Sequence, residues 1–307
     1  MEFRVLASDP LDPKAVAAMR EGGVEVDEKT DLTPEQLAEE IAAYDAIVIR
    51  SATKVRANIV DAGTNLKLVV RAGVGLDNVD VEYARSKGVE VRNTPAASSN
   101  SVAELAMGHI FSLARHIARA TVSTKAGLWE KKQLKGVEIA GKTLGIIGIG
   151  RIGQSLAQKA SALGMKVLCS DAFLTESPIA DIAPMVTQDE LLERSDFISL
   201  HIPFDPEMGP SISTAQFAAM KDGVYLVNCA RGGVIDETAL VVALDSGKVA
   251  GVALDVFEQE PPAGDHPLFA RSAVSLTPHI GASTVEAQAR VGREAADIVI
   301  EFARSSS

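Results

Sequence analysis

Short apolar runs alternate with helical stretches through the first part of this 307-residue chain. The apolar runs read FRVLAS, DAIVIR, LKLVV and VEVRN, and they are rich in β-branched residues. The stretches between them predict helices over Pro13–Glu21, Pro34–Ala42, Arg56–Ala62 and Val81–Lys87. Strands of this kind separated by helices indicate βα units and a parallel sheet.

The same alternation starts again after Gly141. Six apolar runs follow, which read TLGIIGI, KVLCSD, FISLHIP, VYLVNCA, AGVALDV and VSLTPHI. The stretches between them predict helices near Ile152–Ala162, Gln188–Arg194, Ser213–Met220 and Glu237–Ser246. Six strands with intervening helices are the content of one doubly wound nucleotide-binding domain. The fold class is therefore α/β, with two doubly wound parallel-sheet domains.

Two further helices are predicted outside the alternating pattern. Ser101 and Glu104 have the spacing of a capping box, which predicts a long helix that runs to about Arg119 and connects the two sheets. The tail, from Ser283 to Arg304, has the periodicity of an amphipathic helix. It is too short to form a domain, so we expect it to pack on one of the others.

Composition and charge argue against several classes of protein. Apolar residues make up 47% of the chain and its net charge is −11, which is globular composition and disfavours nucleic acid or an anionic membrane as a partner. No apolar run is long enough to span a bilayer, and the N-terminus does not resemble a signal peptide. Cys169 and Cys229 form no C-x-x-C pair, which fits a reducing cytosol, so we expect a cytoplasmic protein. No metal site is expected, because His109 and His116 lack the spacing of metal ligands.

A glycine-rich turn lies near the middle of the chain. Gly148, Gly150 and Gly153 have G-x-G-x-x-G spacing, with a predicted strand before them and a predicted helix after them. Such a turn lets a pyrophosphate approach the backbone at the N-terminus of the helix, although a tight turn without a ligand is the alternative. Asp171, at the end of the next strand, is suited to accept both ribose hydroxyls and to repel a 2′-phosphate, which favours NAD over NADP. Arg151, inside the turn, is expected to neutralise phosphate, with an ordinary solvated charge as the alternative.

Polar residues follow three of the later predicted strands. Arg231, Glu260 and His279 are the polar residues that follow these apolar runs, and an open α/β sheet binds its ligands at the carboxyl ends of its strands. An arginine can hold a carboxylate through two parallel hydrogen bonds, and a histidine beside a carboxylate can exchange a proton near neutral pH. Each residue taken singly has a simpler interpretation as a loop or surface residue. Together they suit oxidation of a 2-hydroxy acid with transfer of a hydride to a nicotinamide.

These segments and several others resemble a known family. The matching segments, which cover nearly the whole chain, are IRSATKVRA, VVRAGVGLDNVD, NTPAASSNSVAELAMG, GLWEKKQLKGVEIAGKTLGIIGIGRIG, NCARGGVID, ALDVFEQEPP and TPHIGAST. The sequence closely resembles the D-2-hydroxy acid dehydrogenases and, within that family, the D-3-phosphoglycerate dehydrogenases. The resemblance implies that Arg231, Glu260 and His279 take the family's catalytic arginine, glutamate and histidine roles.

The resemblance also implies a domain organisation and further contacts. It implies a Rossmann NAD-binding domain, residues 98–282, inserted into a discontinuous flavodoxin-like substrate-binding domain, residues 1–97 and 283–307. Besides the three glycines, cofactor contacts are expected at Val74, Arg151, Ile152, Asp171, His201, Ile202, Pro203, Cys229, Ala230, Arg231, Asp255, His279, Gly281 and Ala282. Val74 and Gly75 are expected near the substrate carboxylate and the nicotinamide. The long helix after Ser101 is expected to build a homodimer, with a homotetramer as the alternative.

A phosphorylated substrate needs positive charge around its phosphate. Arg50, Arg71 and Lys131 are the preferred candidates, with Ser51 beside the first of them, and an ordinary solvated charge is the alternative for each. In the phosphoglycerate dehydrogenases that the segment WEKK resembles, a basic residue reaches across the dimer toward the substrate phosphate. Lys131 matches that position.

The implied activity is NAD-dependent oxidation of 3-phospho-D-glycerate to 3-phosphooxypyruvate, the first step of serine biosynthesis. Reduction of glyoxylate or hydroxypyruvate, or another D-2-hydroxy acid dehydrogenase reaction, is the alternative and would not need Arg50, Arg71 and Lys131. A third interpretation is an NAD-sensing binding protein that does not turn over a substrate. Because the sequence ends at EFARSSS, no regulatory domain that responds to serine is expected. The stretch HIPFDPEMGPSIS departs from the family pattern, which leaves the conformation of that loop open.

Overall fold

Residues 3–306 are described by the computed structural model of the protein. They form two compact units: unit 1 contains residues 3–99 and 282–306, and unit 2 contains residues 100–281. The domain boundaries expected from the sequence, 97/98 and 282/283, stay a prediction. Residues 1, 2 and 307 of the expected substrate-binding domain lie outside the described residues.

Unit 1 is built on a five-stranded parallel sheet. Its strands are β1 (Arg4–Ala7), β2 (Glu25–Glu28), β3 (Ala46–Ile49), β4 (Leu68–Arg71) and β5 (Glu90–Asn93). The helices between them are α1 (Pro13–Glu21), α2 (Pro34–Glu40), α3 (Ala57–Ala62) and α4 (Val81–Ser86). The strand order β2-β1-β3-β4-β5 is that of flavodoxin-like doubly wound sheets. The four predicted strands and four predicted helices of this part of the chain are confirmed.

Strand β2 was not predicted from the sequence. It contains one apolar side chain, Val26, which is buried. The strand lies at the edge of the sheet beside β1, where charged side chains reach water and discourage pairing with another chain. A short edge strand of this kind lacks the apolar run on which the prediction depended.

Unit 2 is built on a six-stranded parallel sheet. Helices α5 (Ser99–Arg115) and α6 (Ile117–Lys125) precede it. The remaining elements are β6 (Thr143–Ile147), α7 (Arg151–Ala162), β7 (Lys166–Ser170), α8 (Gln188–Arg194), β8 (Phe197–Leu200), α9 (Thr214–Ala219), β9 (Val224–Asn228), α10 (Glu237–Asp245), β10 (Val249–Leu254) and β11 (Val274–Leu276). The order β11-β10-β9-β8-β6-β7 confirms all six predicted strands. A parallel bridge between Cys169 and Met185 lies beyond β7, at the position of one more strand in Rossmann sheets.

The start of α5 corrects the predicted capping box. The helix begins at Ser99, so Ser101 lies inside it and does not cap it. The Ser101 hydroxyl instead donates a buried hydrogen bond of 2.7 Å to the carbonyl oxygen of Gly281. The spacing of Ser101 and Glu104 fits a capping box, but the spacing alone does not distinguish a serine that caps a helix from one inside the helix that makes a tertiary contact.

The end of α5 also differs from its prediction, since the helix does not continue to Arg119. In a continuous helix the carbonyl oxygen of Ala114 would accept from the N–H group four residues later. Here it accepts from the N–H of Val137 at 2.8 Å. His116 then has a left-handed backbone with φ 53°, and α6 begins after it.

The predicted tail helix is confirmed as α11 (Val285–Ser305), whose N-cap is Thr284. Its apolar face packs in the same core cluster as β1, α1, β3 and β4 of unit 1. The side chain of Val299 is 0% exposed in that cluster, whereas Val285 in the first turn is 83% exposed. No helix within residues 3–306 is both long and apolar enough to cross a membrane.

We expect the substitution Val299→Ala to lower the free energy of unfolding by about 2 kcal/mol, because it removes buried methyl groups and leaves a cavity. The matched substitution Val285→Ala, on the exposed side of α11, should change it by less than about 0.5 kcal/mol. Chemical denaturation monitored by circular dichroism measures both changes. Equal effects of the two substitutions would contradict the packing of α11 in unit 1.

Candidate active site

Three loops at the carboxyl ends of adjacent strands carry the predicted catalytic residues. Arg231 follows β9, Glu260 follows β10 and His279 follows β11. Parallel strands bring their carboxyl ends to one edge of a sheet, so these loops meet there. The structure places the imidazole Nδ1 of His279 2.7 Å from the carboxylate Oε2 of Glu260.

The contact between Glu260 and His279 decides which imidazole nitrogen carries a proton. An ionised carboxylate only accepts hydrogen bonds, so Nδ1 donates and Nε2 of the neutral ring has the free lone pair. The hydrogen bond to Glu260 raises the pKa of His279 above its ordinary value, against the opposing effect of burial. Burial by itself would raise the pKa of Glu260, but the hydrogen bond from His279 helps to lower it overall. The pair therefore consists of a carboxylate and an imidazole that can exchange a proton through Nε2.

Arg231 acts on the same pair. Its positive charge favours ionised Glu260 and opposes protonation of His279. The buried side chain of Asn228 fastens the loop, because its amide donates to the Arg231 carbonyl at 2.9 Å and accepts from the Ala230 N–H at 3.0 Å. Asn228 was missed in the sequence analysis, although a polar residue at the end of an apolar strand could have indicated it.

Gly232 lets the loops of Arg231 and Glu260 pack closely. A Cβ atom added at Gly232 would lie 1.7 Å from the carbonyl oxygen of Phe257. The N–H of the same Phe257 donates to Oε1 of Glu260 at 3.1 Å. Any side chain at position 232 would therefore push the arginine loop away from the loop that orients the glutamate.

The loop of His279 is held by Asp255, a buried residue just after β10. The Asp255 carbonyl accepts from the N–H of His279, and its carboxylate accepts from the N–H groups of Ile280 and Gly281, all at 2.8 Å. His279 has a left-handed backbone with φ 53°, which is uncommon for a residue other than glycine. Such strain persists only where the surroundings enforce it, and it is frequent at functional sites. The predicted contact of Asp255 with the cofactor stays a prediction.

A cavity of about 410 Å³ adjoins the Glu260–His279 pair. Its lining is formed by Phe257, Glu260, Pro261, Pro262, Phe269, Leu276, Thr277, Pro278 and His279. Most of these side chains are apolar, and an apolar environment strengthens the interaction between a carboxylate and an imidazole.

The turn between β6 and α7 fits the pyrophosphate of a dinucleotide. Gly148 has φ 95°, and a Cβ there would lie 2.5 Å from the carbonyl oxygen of His201. A Cβ at Gly153 would lie 2.2 Å from the carbonyl oxygen of Gly148, so helix and turn approach closely. Gly150 faces open space, and no side chain among residues 3–306 caps α7 at this residue. The free N–H groups at the start of α7 are therefore available to bind phosphate.

Asp171 lies beside this turn, directly after β7. Its Oδ2 accepts from the N–H of Ile149 at 2.9 Å, and its Oδ1 accepts from the N–H groups of Phe173 at 2.9 Å and Leu174 at 3.2 Å. These three bonds fix the carboxylate and leave about one of its four acceptor sites. It can still accept a ribose hydroxyl. Arg151 is the exposed first residue of α7. Its contact with a phosphate stays a prediction.

The other predicted cofactor residues also follow strands. His201, Ile202 and Pro203 follow β8, Cys229 and Ala230 follow β9, and Gly281 and Ala282 follow β11, while Ile152 is in α7. His201 is neutral, because burial lowers its pKa to about 4. Cys229 is buried and its pKa is raised, which is the opposite of what a nucleophilic thiolate needs. No cluster of three or more potential metal ligands occurs among residues 3–306.

The residues predicted to bind substrate belong to both units. Arg50, Ser51, Arg71, Val74 and Gly75 lie after or at the ends of β3 and β4 in unit 1, and Lys131 is exposed after α6 in unit 2.

The loop of Arg50 is held in place by hydrogen bonds from two residues that were missed in the sequence analysis. Buried Asp9 accepts from the N–H of Arg50, and the amide of Asn78 donates to the Arg50 carbonyl at 2.7 Å. The contacts of these residues with a substrate stay predictions.

We expect Glu260→Gln to lower the pKa of His279 toward its ordinary value of about 6.5, because the neutral amide no longer stabilises the imidazolium. A histidine NMR titration measures the shift. The control Glu258→Gln removes a carboxylate whose Oε1 accepts from the N–H of Glu237 instead of contacting the imidazole, and it should leave the titration of His279 in place. An unchanged titration in Glu260→Gln would contradict the proposed coupling.

Comparisons with known proteins identify the family of the chain. The family model described as "D-isomer specific 2-hydroxyacid dehydrogenase, NAD binding domain" matches residues 107–281. The chain is 51% identical to the hydroxypyruvate reductase of Thermotoga maritima over 95% of both chains. It is 46% identical to the D-3-phosphoglycerate dehydrogenase of Methanocaldococcus jannaschii over 98% of this chain, but it spans only 57% of that relative.

A solved structure of a D-2-hydroxy acid dehydrogenase is also similar to this chain. The D-lactate dehydrogenase of Aquifex aeolicus, complexed with NAD and lactic acid, is similar with a TM-score of 0.84 and 31% identity, over 98% of this chain and 96% of that one. The expected cofactor, NAD, is confirmed, and the glycine turn is suited to it. The chain belongs to the D-isomer-specific 2-hydroxyacid dehydrogenase family.

Proposed function

We propose that this protein oxidises 3-phospho-D-glycerate to 3-phosphooxypyruvate with NAD, which is the first step of serine biosynthesis. The observation that carries the reaction class is the 2.7 Å contact between His279 and Glu260, beside the charge of Arg231. Membership of the family supports a 2-hydroxy acid as the substrate class. The phosphate is a further proposal, which rests on cationic residues considered below.

Each of the three side chains has a proposed role in the reaction. Arg231 binds the substrate carboxylate through parallel N–H···O bonds. Nε2 of neutral His279 accepts the proton of the C2 hydroxyl, and Glu260 stabilises the imidazolium that forms. Bound NAD supplies the acceptor for the hydride that leaves C2. In the reverse direction the protonated His279 returns its proton to the keto oxygen, and the raised pKa of His279 supports this role.

Replacement of His279 tests the reaction class. His279→Ala should lower kcat about 10²-fold or more, because it removes the proton acceptor, while the affinity for NAD stays close to that of the wild type. Turnover is measured from NADH absorbance with a panel of 2-hydroxy acids, and NAD binding by calorimetry. His116→Asn is the control, because asparagine tolerates the left-handed backbone at that position. Undiminished turnover in His279→Ala would remove His279 from its role. Tight NAD binding by the wild type without any turnover would favour the NAD-sensing interpretation.

A second candidate is reduction of hydroxypyruvate or glyoxylate. It is favoured by the 51% identity to a hydroxypyruvate reductase that this chain matches over 95% of both lengths. The phosphoglycerate dehydrogenase relatives match at 44–46% but extend well beyond the matched region. Both candidates use the same proton and hydride transfer, so they differ only in how the far end of the substrate is bound.

The cationic residues distinguish the two candidates. Under the lead proposal, Arg50→Ala, Arg71→Ala and Lys131→Ala should each raise KM for 3-phospho-D-glycerate about tenfold or more, because a phosphate loses a cation. Hydroxypyruvate reduction should change less than about twofold, and Arg85→Ala, which removes an exposed arginine of α4, is the control. Steady-state kinetics with both substrates measures this. Equal losses on both substrates, or a wild type that turns over hydroxypyruvate alone, would contradict the phosphate assignment.

A homodimer built through α5 and α6 is also proposed. Large apolar side chains are exposed on these helices and on the segment after them, namely Phe111, Ile117, Val122, Leu128 and Trp129. Exposed apolar surface of this kind is typical of protein–protein interfaces. A dimer would also bring Lys131 of one subunit toward its partner.

A further inference from the structure

A polar cluster centred on a buried histidine adjoins the loop that carries His279. Its centre is His109 of α5, which is 3% exposed. The imidazole Nδ1 of His109 lies 3.0 Å from the hydroxyl of Ser275, and its Nε2 lies 3.1 Å from the hydroxyl of Thr277. The Thr277 hydroxyl in turn lies 2.6 Å from Oδ1 of Asp255. The proposed reaction does not use His109, and the sequence analysis gave it no role.

The carboxylate of Asp255 fixes the direction of the hydrogen bonds on its side of His109. A carboxylate accepts only, so Thr277 must donate its single hydroxyl proton to Asp255. Thr277 can then only accept from His109, which requires a proton on Nε2 of the imidazole. Burial lowers the pKa of His109, and a neutral ring with a proton on Nε2 has a lone pair on Nδ1.

This tautomer also fixes the direction of the hydrogen bond at Nδ1 of His109. Ser275 must donate its hydroxyl proton to the Nδ1 lone pair. The hydroxyls of Ser275 and Ser112 are also 3.0 Å apart. Three hydrogen bonds thus run in one direction, from Ser275 through His109 and Thr277 to Asp255.

The end of this chain of hydrogen bonds is the residue that holds the His279 loop. Asp255 accepts from the N–H groups of Ile280 and Gly281 with its carboxylate and from the N–H of His279 with its carbonyl. Thr277 is also the first residue of that loop. His109 therefore binds both the start of the loop and, through Thr277, the carboxylate that organises the rest of it.

We propose that His109 is a positioning residue, whose imidazole fixes the loop Thr277–Gly281 so that His279 keeps the orientation needed for proton transfer. This rests on the proposed function, because it assigns the proton transfer to His279. Fully satisfied buried networks specify one conformation, and His279 needs such a constraint because its backbone is left-handed. An apolar side chain at position 109 would fill the space but would leave Ser275 and Thr277 without this partner.

Three variants separate positioning from stability. His109→Phe keeps the ring volume and removes both hydrogen bonds, whereas His109→Gln can still accept from Ser275 and donate to Thr277. Leu113→Ala is the control, because it opens a cavity in the same helix at a buried side chain without a polar contact to the loop.

We expect His109→Phe to lower kcat about tenfold or more through misplacement of His279, with KM and the affinity for NAD changed less than about twofold. His109→Gln should restore kcat to within about threefold of the wild type. Leu113→Ala should lower the midpoint of thermal unfolding but retain kcat. Wild-type kcat in His109→Phe, or equal losses in the phenylalanine and glutamine variants, would overturn the proposal.

NMR of ¹⁵N-labelled histidine gives a readout that does not depend on turnover. We expect a neutral His109 ring with its proton on Nε2, and ring signals of His279 that shift in His109→Phe but stay in place in Leu113→Ala. A proton on Nδ1 of His109, or unshifted His279 signals, would overturn the proposal. If the wild type turns over no 2-hydroxy acid, the proposed function fails, whereas these signals still decide whether His109 positions the loop.

Discussion

One hydrogen bond, between Nδ1 of His279 and the carboxylate of Glu260, determines what this site can do. It orients the imidazole, leaves the lone pair on Nε2, and raises the pKa of the ring above its ordinary value. The bond depends in turn on two backbone anchors. The N–H of Phe257 donates to the Glu260 carboxylate and so fixes it. The carbonyl of Asp255 accepts from the N–H of His279 and so keeps His279 in its left-handed backbone conformation. A shift of either loop would separate the two side chains.

The distribution of charge explains how an acidic protein can bind anions. The chain carries a net charge of −11, so positive potential has to be concentrated where the ligands bind. In unit 2 this is achieved by the uncapped N-terminus of α7 at the glycine turn and by Arg231 beside the Glu260–His279 pair. Both features follow strands of one parallel sheet, and this topology collects them at the edge where such sheets bind their ligands.

The sequence predicted the features that depend on local patterns and missed those that depend on distant contacts. Apolar runs predicted ten of the eleven strands within residues 3–306, and β2 was missed because Val26 is its only apolar side chain. Ser101 has the spacing of a cap but bonds to Gly281, far along the chain. Arg231, Glu260 and His279 could be predicted as catalytic residues because each follows an apolar run and matches a family motif. Asn228 holds the Arg231 loop through its side-chain amide, and His109 bonds to Ser275, far along the chain. No periodicity reveals either contact.

Glu260 holds His279 with its proton on Nδ1 and its lone pair on Nε2. The most direct measurement is the ¹⁵N chemical shifts of the His279 ring in the wild-type protein, recorded at a pH above the pKa of that ring. We expect Nδ1 to have the shift of a protonated nitrogen and Nε2 that of an unprotonated one. A proton found on Nε2, or a rapid average of the two forms, would contradict this role of Glu260.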